Sequence, residues 1–152
     1  AAPALNALVS VRDAAGFYGL ASGGLGFALA GAIGISLARP GRPVVAAVGD
    51  GSAMYSVQAL WTAAHLKLPV TYVIVNNRGY RIIKERLVAL RGSERFTGMD
   101  LREPDLDFVA LARGFGMNAR RITDPAALAP ALNEAIASGA PNLIDVATAD
   151  GF

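Results

Sequence analysis

Two short apolar runs constrain this chain more than any other feature. Pro43 to Val48 and Val70 to Val75 are rich in β-branched residues and do not alternate with polar ones, the pattern of strands buried on both faces at the centre of a parallel sheet. Each stops at a polar turn: Gly49-Asp50-Gly51-Ser52 after the first, Asn76-Asn77-Arg78-Gly79 after the second. Parallel neighbours need a crossover, and the intervening segment predicts a helix from about Val57 to Leu66, with Leu60, Ala64 and nearby Trp61 facing inward and Lys67-Leu68-Pro69 as its stop.

The rest of the chain continues the alternation. Leu25 to Leu37 is apolar nearly all round, as suits a helix packed inside a larger protein, and Arg39-Pro40-Gly41 ends it. Tyr80 to Leu90 can be helical, and its neighbouring arginines, Arg78 to Arg91, read as a solvated face. Arg91 to Asp105 mixes glycine, proline and charge without period and reads as a surface loop. Helices from Asp107 to Arg113 and from Pro125 to Ala137, the latter capped by Asp124, flank a weak strand at Met117 to Ile122, and Asn142 to Ala147 is the last strand. The expected fold is therefore α/β, a parallel sheet covered by helices on both faces, in a single domain over residues 1–152.

Composition narrows the functional classes. With 53% hydrophobic and 17% charged residues the chain has ample core material, and at a net charge of +2 its basic residues are scattered rather than striped with aromatics, which argues against nucleic acid as a partner. No cysteine is present, so disulfide and thiolate chemistry are excluded. Ala1 to Ser10 carries no basic secretory signal, and the absence of an initiator methionine suggests a cut or processed start; a cytoplasmic setting is the expectation. The uncharged stretch Ala14 to Ala38 is long enough to span a bilayer, but the glycines at 16, 19, 23, 24 and 26 would break a helix there, so no membrane span is expected.

In an open parallel sheet, ligands bind beyond the carboxyl ends of the strands, where both polar turns lie. Glycines let a ligand approach the backbone, Ser52 adds a hydroxyl, and a following helix aims its first amides at an anion, which together suit a phosphate. A diphosphate beside the carboxylate of Asp50 needs a cation between them. Magnesium takes hard oxygen ligands and shares them among protein, phosphate and water, so one carboxylate, Asp50, and one amide oxygen, Asn77, are a sensible protein share.

Gly49-Asp50-Gly51-Ser52, followed at this interval by Asn76-Asn77, resembles the cofactor motif of the thiamine-diphosphate-dependent decarboxylases and acetohydroxyacid-synthase-like enzymes. The likeness extends through Gly23-Gly24-Leu25-Gly26-Phe27-Ala28, Tyr55-Ser56, Ala59 to Ala64 and Asp107-Phe108, and is strongest to the benzoylformate decarboxylase branch. It implies thiamine diphosphate and Mg²⁺ as cofactors. By resemblance Asp50, Asn77 and the Gly79 carbonyl would hold the metal, and Gly51 and Ser52 the diphosphate, with Tyr55 and Tyr80 close by. The carbonyl at Gly23, beside Gly24, would hold the cofactor's exocyclic amine, and Leu25 would sit beneath the bent cofactor. The activating glutamate of the family comes from a pyrimidine-binding domain, usually of a partner subunit. None of Glu85, Glu94, Glu103 and Glu134 matches it, so no catalytic residue is expected in this chain, which would be the C-terminal diphosphate-binding part of a homodimer or homotetramer, inactive alone and lacking the preceding domains. The substrate implied is a 2-oxo acid, with Ile82, Ile83 and Arg86 helping to shape its pocket; Arg81 and Arg86 depart from the benzoylformate pattern, which keeps an acetolactate-type condensation open.

Other readings compete at particular residues. Gly49-x-Gly51 could be half of a dinucleotide fingerprint, but Met54 stands where a third small residue belongs and Pro69 to Asn77 lacks the acidic residue. No Gly-Lys-Ser/Thr occurs, against a P-loop. His65, the only histidine, is expected near a helix C-terminus, Trp61 in the core, and Asn76 bonded to its own turn. A non-catalytic cofactor-binding partner is the remaining alternative.

Overall fold

The sheet has four strands, all parallel: β1 (Val44–Gly49), β2 (Val70–Asn76), β3 (Asn118–Ile122) and β4 (Asn142–Ala147), in the spatial order β1-β2-β4-β3. The computed structural model describes residues 7–19, 22–149 and 151; the start of the segment read for a secretory signal, residues 1–6, lies outside them. The helices are α1 (Phe27–Ala38), α2 (Asp50–Ala53), α3 (Ala59–His65), α4 (Arg81–Arg91), α5 (Phe108–Gly114) and, after a 3₁₀ turn at Pro125–Ala127, α6 (Leu128–Ala137).

Strand order decides which face each helix covers. A parallel crossover is right-handed, so moving across the sheet from β1 to β2 and on to β3 puts α3 and α5 on one face, and the step back to β4 puts α6 on the other. The core divides accordingly. Leu60, Ala63, Phe108 and Ala112 join Leu29 and Ala32 of α1 over Val48, Tyr72, Ile74 and Leu143, whereas Ala131 and Ala135 of α6 pack on Ile122 and Ile144. The buried Tyr72 hydroxyl donates to the Leu29 carbonyl at 3.2 Å and ties α1 to the middle of the sheet. Burial holds that phenol above its ordinary pKa.

α1 buries Leu29, Ala32 and Ser36 and leaves Phe27 and Leu37 exposed on this domain. At 12 residues it is about 18 Å long, and no described helix is long and apolar enough to cross a membrane. Trp61 is not core: it is 52% exposed and stacks on His65, ring centroids 4.8 Å apart. The inner face of α3 is Leu60 and Ala63, one helical step around from Trp61. His65 does sit in the last turn, as expected.

Candidate functional site

Because β1 and β2 are neighbours in register, with Gly49 opposite Val75, their terminal turns emerge side by side. Asp50, 3% exposed, opens α2, and its Oδ2 accepts from the Gly79 amide at 3.1 Å. Asn77 Oδ1 accepts from that same amide at 3.3 Å. One N–H thus gathers an anionic and a neutral oxygen from two strands. Burial raises the Asp50 carboxyl above its ordinary pKa, opposed by backbone amides at Gly51, Gly79 and Arg78. The left-handed residue of the second turn is Arg78, at φ 62°, rather than a glycine, a strained conformation of the kind retained at binding sites. Asn76 does bond its own turn, Oδ1 accepting from the Arg78 amide at 3.2 Å, and its Nδ2 also donates to Asp145 Oδ1 at 3.0 Å.

Asp145 went unread in the sequence. It is fully buried in β4, its Oδ2 accepts no hydrogen bond, and the Arg121 guanidinium stands 3.8 Å away. Burial pushes its carboxyl up, against the Asn76 hydrogen bond and the Arg121 charge. A charged residue inside the apolar run Asn142 to Ala147 was the available signal.

The glycine loop reaches this site through serines. Gly26, left-handed at φ 81°, donates its amide to Ser52 Oγ at 2.9 Å, and its carbonyl accepts from Ser56 Oγ at 2.6 Å. An added Cβ there would lie 2.8 Å from that of Tyr55, so only glycine fits. This docking fixes Gly26 against Ser52, Ser56 and Tyr55; Gly23, Gly24 and the 46%-exposed Leu25 precede it in the same loop and are exposed, as is Tyr55. Gly51 is a glycine for a different reason: a Cβ would sit 2.5 Å from Tyr80 Cε1, because the Tyr80 ring lies over it. The chain continues from the turn as the single turn of α2, whose dipole is small, and the expected helix begins only at Ala59, so individual amides and Ser52 are what this region offers.

Residues 91–105 do more than loop over the surface. Gly79 bridges Asp100 in antiparallel fashion, Tyr80 N donating to Met99 O at 2.8 Å and Leu101 N to Arg78 O at 2.9 Å. Lys84, buried in α4, pairs with Asp100 at 2.6 Å, and Arg78 pairs with Asp105 at 2.7 Å. The segment is a strap over the turn that carries Gly79. Ile82, Ile83 and Arg86 are exposed, and Arg81 pairs with Glu85. A cavity of about 400 Å³ lies at the opposite end of the sheet, by Asn118 and Asn142.

A hard cation fits these donors: one carboxylate and one amide oxygen, both oxygen, with no group of three or more His, Cys, Asp and Glu side chains among the described residues to suit a softer metal. Fold and site together define an α/β domain that brings two polar turns together at the neighbouring termini of β1 and β2. The chain belongs to the thiamine pyrophosphate enzymes, whose C-terminal TPP binding domain matches residues 5–146. It is 39% identical over 140 residues to the benzoylformate decarboxylase of Pseudomonas aeruginosa, covering 92% of this chain and 26% of that protein. It is also 39% identical over 132 residues to the putative acetolactate synthase large subunit IlvX of Mycobacterium tuberculosis, covering 84% and 26%. Among solved structures, the thiamine diphosphate-dependent 4-hydroxybenzoylformate decarboxylase of Rhodococcus jostii RHA1 superposes with a TM-score of 0.78 at 41% identity, over 84% of this chain and 24% of that one. The chain spans about a quarter of the length of these relatives.

Proposed function

We propose that this chain is the diphosphate- and magnesium-binding domain of a thiamine-diphosphate-dependent 2-oxo-acid decarboxylase of the benzoylformate type. The observation that carries the reading is the convergence of Asp50 Oδ2 and Asn77 Oδ1 on the Gly79 amide. Asp50, Asn77 and the Gly79 carbonyl hold Mg²⁺, which offsets the charge of a diphosphate set against Gly51 and Ser52, with Tyr55 and Tyr80 alongside. Gly23 and Gly24 bring backbone to the cofactor's aminopyrimidine, and Leu25, a large apolar side chain left exposed next to Gly26, supports its bent form. When bound, thiamine diphosphate supplies the electron sink for loss of carbon dioxide. The chain's own part is to hold and orient; the activating glutamate and the other wall of the cleft come from a pyrimidine-binding domain of a partner subunit in a cytoplasmic homodimer or homotetramer. The open site on this domain supports that division.

Calorimetric titration of the full-length protein with thiamine diphosphate, with and without Mg²⁺, tests the metal assignment. Binding is expected only with the metal, and Asp50→Ala or Asn77→Ala should abolish it; unchanged affinity in either variant would sink the assignment. A second reading, an acetolactate-type carboligase, is supported by the equal identity to the acetolactate synthase relative and by the exposed Arg86 on α4. Steady-state kinetics on benzoylformate and pyruvate separate the two. An aromatic substrate should be favoured, and since a misplaced charge in an apolar pocket costs on the order of a hundredfold in specificity, a clear preference for pyruvate with acetolactate as product would overturn the decarboxylase assignment.

A further inference from the structure

We propose that Asp145 is a positioning residue for the metal turn, setting the orientation of Asn76 and, through it, the backbone that presents Asn77 and Gly79. This rests on the magnesium reading above. The contact spans the sheet: Asp145 lies opposite Ile74 in the β2–β4 register, two residues before Asn76 on the same face. An ionised carboxylate can only accept, so it takes the Nδ2 end of Asn76 at 3.0 Å and leaves the amide one orientation, with Oδ1 toward the Arg78 amide at 3.2 Å. That second bond braces Arg78 in its left-handed conformation, between the two proposed metal donors. The Asn76 carbonyl is held as well, by the Thr148 amide at 2.8 Å, so β4 and its continuation grip both ends of this residue.

Fold stability gives no reason for a carboxylate at this place. Its second oxygen accepts no hydrogen bond, and the nearest cation, Arg121, is beyond hydrogen-bond distance and partly in solvent. A buried charge so weakly compensated is commonly improved on by an apolar side chain of similar volume. What an apolar residue cannot do is fix which way Asn76 points.

The test exploits this separation. In the full-length protein, thiamine diphosphate binding is titrated calorimetrically over a series of Mg²⁺ concentrations, alongside thermal unfolding without cofactor. Asp145→Leu should raise the half-saturating Mg²⁺ by roughly 10- to 100-fold, the range for loss of a group that orients metal ligands, while leaving cofactor-free melting unchanged or higher. Asp145→Asn, which can still offer an oxygen to Asn76, should stay within about threefold of the wild type. Asn76→Ala, which breaks the same link from the other side, should match Asp145→Leu and serves if that variant does not fold. A half-saturating Mg²⁺ within about twofold of wild type in Asp145→Leu or Asn76→Ala overturns the proposal, as does an equal rise in Asp145→Asn. Wild-type protein that binds the cofactor without regard to Mg²⁺ would instead fail the underlying metal reading.

Discussion

Replacing Gly51 by alanine should destabilise the protein, and the same replacement should stabilise it once Tyr80 is cut back to alanine. Gly51 is not among the left-handed glycines, so its backbone accepts an L side chain. It lies within α2, where alanine gains about 0.5–1 kcal/mol over glycine, nearer the lower figure in a single turn. Against this stands the Tyr80 ring: the new Cβ would lie 2.5 Å from Cε1, 2.7 Å from Cδ1 and 3.3 Å from Cζ. Carbon atoms prefer about 3.5–4.0 Å, so the ring must retreat by roughly 1 Å. Overpacking of that size costs about 1–3 kcal/mol, which exceeds the helical gain. The net expectation is a loss of about 0.5–2 kcal/mol, or roughly 2–6 °C in Tm for a domain of this size, turning into a gain of about 0.5 kcal/mol in the Tyr80→Ala background. Urea unfolding of the four proteins in the cycle measures both values. An equal effect of Gly51→Ala in the two backgrounds would refute the steric account.

Two further outcomes follow from the charges around the site. Asp50→Asn should raise the stability of the cofactor-free protein at neutral pH by about 1 kcal/mol, while removing Mg²⁺-dependent cofactor binding. Because burial raises the folded-state pKa of Asp50, its penalty is absent below the unfolded carboxylate pKa and grows as pH rises through the folded value; melts at neutral and acid pH should therefore show the gain only at the former. The strap should behave in the opposite sense. Asp100 is held below the ordinary carboxylate range by its hydrogen bond to Lys84, so its contribution is complete above the unfolded pKa and is lost as pH falls through the lowered folded one. Amide-exchange protection at Tyr80 and Leu101, which join strap to turn, should fall with it; protection unchanged through that range would show that Lys84 and Asp100 do not hold the strap.

The parts of this protein legible in the sequence are those a few neighbouring residues decide. The apolar runs and their polar stops locate β1 and β2 to within a residue at each end, Asn142 to Ala147 is the strand observed, and Asp124 caps the turn before its helix as read, accepting from the Ala126 amide at 2.9 Å. Asp50 and Asn77 were readable as partners because each follows a strand end, and two parallel strands joined by one helix fall side by side. Trp61 was misassigned because an apolar side chain looks the same to its sequence neighbours whichever face of a short helix meets the sheet. The strap was missed because its pairing with Gly79 has no periodic pattern. Gly51 packs against the Tyr80 ring, 29 positions away, a contact its sequence neighbours do not announce. Asp145 meets Asn76 across 69 positions only because β4 inserts between β2 and β3. Strand order is settled by the packing of the whole sheet, and it alone makes the buried Asp145 carboxylate the neighbour of the turn that carries Asn77 and Gly79.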